Sequence, residues 1–240
     1  MTFFPYVPIA DVFFAFRASH FPGKVIVLVL FAGSIFAWSI MLTKFMELRR
    51  ARRNARRFLQ AYRAESSPVG LYVKKRRLGG GPLAAVYDAA CQTVGGLAQD
   101  AASPDWASGS GAAGGLRLGE REQKAVATLV RRVLSEQALR LESHMGTLAT
   151  AVTAAPFLGL LGTVWGVMHS FGSMAQSGAA TLSAVAPGVS GALLTTVVGL
   201  LVALPSSVGY NMLTNRIRGL AVEMENFSDE FLSDVERHFS

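Results

Sequence analysis

Few side chains in this 240-residue chain are of a type and spacing that does chemistry. The four histidines, His20, His144, His169 and His238, are scattered and give no metal-ligand spacing. The single cysteine, Cys91, excludes a disulfide scaffold, and the glycine-rich segments lack a phosphate-binding lysine pattern. No catalytic constellation is present, so neither an enzyme nor a cofactor is expected. What remains is a set of hydroxyls, Thr163, Thr195 and Thr196, inside a run of 71 residues from Met145 to Asn215 that contains no Asp, Glu, Lys or Arg. Such hydroxyls can line a narrow polar path, or each can bond the carbonyl one turn back in its own helix. Both readings stand at this level. His169, near one end of the run, reads more simply as an interfacial side chain than as a proton relay. If ions cross this chain, a partner must supply the acidic group.

The elements that carry these hydroxyls follow from composition. The chain is 51% hydrophobic and 16% charged, against roughly 25% charged in a soluble domain. A second uncharged run, the 19 residues between Lys24 and Lys44, matches one membrane span of about 20 residues. A soluble enzyme and a disordered chain are both excluded. The long run holds two spans, broken where Gln176, Ser177, Gly178, Thr181, Ser183 and Pro187 gather. The expected fold is an all-α membrane protein with three transmembrane helices. Residues 1–24 form an N-terminal segment, 25–43 the first span, and 44–145 a helical region with a flexible loop at 95–119. Residues 146–172 hold a helix end and the second span, 173–187 a turn, 188–212 the third span and 213–240 a C-terminal helix. Residues 44–57 carry seven Lys and Arg, against Arg17 and Lys24 before the first span. The positive-inside rule puts the N-terminus outside and residues 44–145 and 213–240 in the cytoplasm. The net charge of +7 therefore needs no nucleic acid to explain it.

Periodicity extends the helices beyond the spans. From Glu120, apolar residues recur at three- and four-residue steps (Ala125, Leu129, Val133, Leu134, Ala138, Leu141 and Met145), and with no Gly or Pro before Gly146 this helix is expected to run into the second span. Leu220, Met224, Phe227, Phe231 and Val235 repeat the pattern in the tail. In the second span Gly159, Gly162, Thr163, Gly166 and Ser170, and in the third Gly191, Thr195, Gly199, Ala203 and Ser207, place small residues on one face. Small residues at this spacing let helix backbones approach closely.

The residues from Ala155-Pro156-Phe157-Leu158-Gly159 through Gly162-Thr163-Val164-Trp165-Gly166-Val167-Met168-His169-Ser170-Phe171 resemble the second span of the TolQ/ExbB/MotA-type proton-channel family. Val185-Ala186-Pro187-Gly188, Ala192-Leu193-Leu194-Thr195-Thr196-Val197-Val198-Gly199-Leu200, Ala203-Leu204-Pro205 and Tyr210-Asn211 resemble the third. The chain is most similar to the TolQ-like members, through Gly166-Val167-Met168-His169 and Glu225-Asn226-Phe227. The resemblance covers nearly the whole chain and is weakest at 66–119. It implies a homopentameric ring in the bacterial inner membrane around single-span partners of the TolR/ExbD type. The partner helix carries an aspartate that takes up and releases protons, and Thr163 and Thr196 would face it. A TolA/TonB-like protein spanning the periplasm would receive the work. One position departs from the family: where the TolQ/ExbB pattern has a glutamate before the Ala-Leu pair of the third span, this chain has Gly191. Two other functions come into view, a non-conducting scaffold of the same architecture and an ExbB-like energiser of nutrient uptake. A solute transporter fits poorly, since three spans hold no inverted repeat pair.

Overall fold

Six helices make up the described part of a computed structural model that describes residues 16, 20–74, 80–100, 119–177 and 181–239. They are α1 (Phe21–Arg63), the short α2 (Gly70–Val73), α3 (Pro82–Asp100), α4 (Glu120–Glu142), α5 (Met145–Ser177) and α6 (Leu182–Phe239). Three stretches are long and apolar enough to cross a membrane, within Phe21–Arg63, Glu120–Gln176 and Val185–Phe239. The chain divides into two compact units, Met1–Thr43 with His144–Met212, and Lys44–Ser143 with Leu213–Ser240.

The first unit packs the apolar part of α1 with α5 and the first half of α6. Besides Met145, Leu148 and Val185, its buried positions on α5 are Ala155, Gly159, Gly162, Gly166 and Ser170, and on α6 Gly191, Ala192, Thr195, Gly199, Ala203 and Ser206. Nearly all are small. Gly199 shows why: a Cβ there would come within 2.6 Å of the Ala155 carbonyl oxygen and 3.2 Å of Gly159 Cα. The backbones of α5 and α6 are themselves in contact, so no side chain fits between them. Leu30 of α1 closes a small cluster with Ala155 and Ala203. The large residues point the other way. Phe31, Phe36 and Trp38 on α1, Phe157, Trp165 and Met168 on α5, and Leu201 and Leu204 on α6 are all exposed. Apolar surface on that scale needs lipid or other helices around it.

The second unit has a conventional core. Leu48, Ala51, Ala55, Phe58 and Tyr62 of α1 face Leu213, Ile217, Leu220, Met224, Phe227 and Phe231 of α6, with Leu83, Val86, Tyr87 and Cys91 of α3 also buried. Phe58, Tyr87 and Phe227 meet edge to face, with centroids 5.3 Å apart in both the Phe58–Tyr87 and Phe58–Phe227 pairs. The Tyr62 hydroxyl donates to Asp234 Oδ2 at 2.9 Å, and Arg63 grips both oxygens of Glu230 at 2.9 and 2.8 Å. Burial, and then that hydrogen bond, push the Tyr62 phenol far above its ordinary range. The Arg63 hydrogen bond holds the Glu230 carboxyl below its own. Burial pushes the Cys91 thiol up to about 12.

Four expectations change. α3 continues through Gly95 and Gly96 to Asp100, so residues 95–100 are helical, while 101–118 of the expected loop lie outside the described residues. Val94, fully buried one residue before this glycine pair, anchors the turn that the glycines alone disfavour. The turn between the second and third spans is shorter than 173–187, because α5 runs to Ser177 and α6 begins at Leu182, with Pro187 inside it. Pro187 sits so close to the helix start that it removes only one ladder bond. On α4 Leu141 is buried as the pattern expects, but the other buried residues are Val126 and Val130 while Ala125 is exposed, so the face is rotated by one residue in the first turns. Finally, the helix from Glu120 does not run on into the second span.

That break falls at Ser143 and His144, whose φ of 65° is left-handed. A helix end leaves unpaired carbonyls, and a buried one needs donors. Lys44 supplies them. Its ammonium, only 3% exposed, donates to the Ser143 hydroxyl at 2.9 Å and to the carbonyls of Leu141 and Arg140 at 3.4 and 3.5 Å. Glu47, one turn along α1, balances its charge at 2.9 Å.

Candidate ion-path site

The three threonines are brought to one place in the first unit by the glycine contact. Because α5 and α6 touch at Gly159 and Gly199, the hydroxyls a turn away reach across the helix pair. Thr163 Oγ1 lies 3.2 Å from the Gly159 carbonyl of its own helix and 3.2 Å from the Ala192 carbonyl of α6. It is also hydrogen-bonded to Thr196 Oγ1, with either oxygen able to donate. Thr196 Oγ1 reaches the Gly159 carbonyl at 3.0 Å. Thr195 Oγ1 lies 2.7 Å from the Ala192 carbonyl and 3.0 Å from that of Gly159.

Counting protons limits what this knot does. Three hydroxyls bring three protons, and the two carbonyls already accept one backbone N–H each, leaving one free lone pair apiece. The third proton therefore has to lie between Thr163 and Thr196. That bond runs in either direction: when Thr163 donates to Thr196, Thr196 donates to Gly159, and when it reverses, Thr163 turns to a carbonyl instead. Hydroxyls do not titrate in the physiological range, so the knot is able to relay and orient a proton but not to store one.

Exposure separates the three. Thr163 and Thr196 are half-buried and reach the outside of the helix pair, whereas Thr195 is 0% exposed and lies between the helices. Each helix-packing position singled out in the sequence, Gly159, Gly162, Gly166, Gly191, Gly199 and Ala203, is buried. A Cβ on Gly162 would run into the Thr195 side chain, and one on Gly166 would come within 2.6 Å of the Ala192 methyl.

The structure also joins what the sequence leaves apart. His169, exposed on α5, stacks on His20 at the start of α1, with ring centroids 3.8 Å apart. Nothing in the spacing of two histidines so far apart signals that contact. Likewise, the sequence marks Lys44 only as one of a basic cluster, not as the cap of α4. Among the described residues no cluster of metal-ligating side chains occurs.

Residues 108–226 match the MotA/TolQ/ExbB proton channel family. The Tol-Pal system protein TolQ of Haemophilus influenzae is 28% identical over 216 residues, covering 89% of both chains. TolQ of Pseudomonas aeruginosa is 39% identical over 114 residues, 48% of this chain and 49% of that one. The biopolymer transport protein ExbB of Pseudomonas putida is 32% identical over 215 residues, 89% of this chain but 60% of the longer relative. The family region takes in both glycine-contacted helices and the hydroxyl knot. With three membrane-capable helices, and relatives named TolQ and ExbB aligned along most of its length, this chain belongs to the MotA/TolQ/ExbB proton channel family.

Proposed function

We propose that this chain is the ring-forming subunit of a proton-driven motor in a bacterial inner membrane. Five copies surround single-span partners of the TolR/ExbD type, with the N-terminus outside and the C-terminus in the cytoplasm. The observation that carries the proposal is the Thr163–Thr196 hydroxyl pair, half-exposed on the stretch of α5 and α6 between Met145 and Asn215 that holds no carboxylate. A protonated or ionised carboxyl from the partner would find there a hydroxyl whose hydrogen bond reverses direction. Thr195, buried behind them, clamps α5 to α6 and keeps the pair in register. Taking up the proton lets the partner helix pass an apolar face of the ring. Releasing it inward completes a turn that does work on the cell envelope, through a TolA/TonB-like protein. Similarity to TolQ favours the envelope task named in the Tol-Pal system, while the P. putida relative favours an ExbB-like role in transport.

Flux measurements in vesicles containing ring and partner test this reading. Thr196→Val keeps the side-chain volume and removes the hydroxyl, so flux falls about tenfold or more, the worth of one hydrogen bond of about 1.4 kcal/mol in the barrier. Unchanged flux would overturn the role given to the hydroxyl pair, and a wild type that conducts nothing would favour the scaffold reading. Gly191 bears on the same choice, because a carboxylate is absent where the family pattern has one. The wild-type chain is expected to conduct, and conduction seen only in Gly191→Glu would overturn that expectation.

A further inference from the structure

The stacked histidines offer a group that titrates, which the hydroxyl knot lacks. His20 stands at the start of α1 and His169 near the far end of α5, with ring centroids 3.8 Å apart and planes inclined at 34°. The Nε2 atom of His20 is buried and has no hydrogen-bond partner among the described residues. A buried ring nitrogen left bare costs free energy, and such a group in a native structure calls for an explanation. On the other ring, His169 Nδ1 lies 3.3 Å from the Ser173 hydroxyl, which also reaches the His169 carbonyl at 3.0 Å. Ser170, buried and bonded to the Gly166 carbonyl at 2.8 Å, completes the wall beside Gly188. The absence of a side chain at Gly188 is what makes room: a Cβ there would run into Ser170 Oγ and come within 3.1 Å of His20 Nε2.

We infer that His20 and His169 form the proton-accepting pair at the outer end of this helix bundle. The inference rests on the proposed proton-channel reading. Imidazole is the side chain whose ordinary titration falls near neutrality, so it takes a proton from water and gives it up again at little cost. Two imidazoles this close hold one proton readily but not two, because like charges at that distance repel strongly. The pair therefore fills once and must empty before it fills again. The groups facing it among the described residues are few. Lys24 lies one turn on along α1, the hydroxyls of Ser170 and Ser173 lie beside the rings on α5, and Gly188 faces them from α6. The nearest fixed charge is positive, which favours release of the proton over its retention. The step balances simply. A hydronium ion outside protonates one imidazole and becomes water. That imidazolium then passes its proton through water to the hydroxyls and on to a carboxylate supplied by the partner, and returns neutral. Thr163 lies six residues before His169 on the same helix, a rise of about 9 Å that a few water molecules span.

Two readouts on the full chain with its partner test the pair. The first is the pH dependence of proton flux in vesicles for the wild type, His20→Gln and His169→Gln. Glutamine retains hydrogen bonding but holds no proton, so each variant loses about tenfold or more in flux near neutral pH. The wild-type titration in flux flattens with it. The second is ring-nitrogen NMR of histidine-labelled protein, which needs no conduction. The wild-type pair takes up its protons in two separated steps, and either variant leaves the remaining histidine with a single step. A conducting wild type whose glutamine variants conduct equally overturns the inference and leaves the channel reading standing. Histidines that titrate identically with and without each other overturn the pairing itself. A wild type that conducts nothing with its partner overturns the channel reading, and the relay falls with it.

Discussion

Thr163 and Thr196 differ from Thr195 in one respect that decides what each does, namely access to the outside of the helix pair. All three bond to the Gly159 carbonyl, and Thr163 and Thr195 also to that of Ala192, yet only Thr163 and Thr196 are half-exposed. Removing the Thr195 hydroxyl should therefore cost fold more than flux, while Thr196→Val costs flux more than fold. Cys91 gives a further residue-scale prediction. It is 0% exposed beside Tyr87, and its thiol is pushed up to about 12, so almost no thiolate forms at neutral pH. A maleimide added to the detergent-purified protein should leave Cys91 unlabelled for hours, with complete labelling on addition of denaturant. Rapid labelling of the native protein, read by mass spectrometry, would show that the core around Phe58, Tyr87 and Phe227 opens readily.

Among the elements, α5 and α6 are held by contact between backbones, and α1 is not. Gly33, in the membrane part of α1, has nothing within 4 Å of where a Cβ would stand, so Gly33→Ala should be neutral or slightly stabilising by helix propensity. Gly199→Ala meets the Ala155 carbonyl at 2.6 Å, a backbone atom that cannot turn aside. It should cost about 1–3 kcal/mol and disturb the hydroxyl knot. Thermal unfolding in detergent distinguishes the two substitutions, and equal midpoints would contradict the close packing. A second element-scale prediction concerns the break between α4 and α5. Lys44→Met keeps the apolar stem and removes the donor to the carbonyls of Arg140 and Leu141; Arg140 retains the Ser143 backbone N–H, while the buried Leu141 carbonyl loses the ammonium. The expected loss is about 1–3 kcal/mol, and Lys44→Arg should recover part of it. If Lys44→Met unfolds at the wild-type midpoint, the ammonium is no cap.

The exposed surface of the whole molecule is inconsistent with a solitary water-soluble protomer. Phe157, Leu160, Val164, Trp165 and Met168 form a nearly continuous apolar face on α5, and Leu193, Val197, Leu200, Leu201 and Leu204 form another on α6. Lipid covers some of this surface, and neighbouring copies are expected to cover the rest. Native mass spectrometry of the detergent-purified protein, alone and with its single-span partner, should report five copies and bound partner chains. A monomer or dimer that ignores the partner would remove the rotating ring and leave the scaffold reading in front.

The uncharged runs at 25–43 and 145–215 determine by themselves that helices cross a membrane, because no arrangement hydrates so much apolar surface. The three- and four-residue spacing of Gly159, Gly166, Gly199 and Ala203 determines which faces meet, and the tail from Leu220 to Val235 buries the residues its spacing selects. Local composition is enough for these features, since each depends only on neighbours along one helix. The rest depends on partners distant in sequence. The end of α4 at Glu142 is capped by an ammonium 97 residues earlier, and no signal within the helix announces it. Whether a threonine bonds back along its own helix or across to the next depends on how closely the backbones approach, which only packing sets. The pairing of His20 with His169 is of the same kind: two histidines far apart in sequence come into ring contact only when their helices bring their ends together.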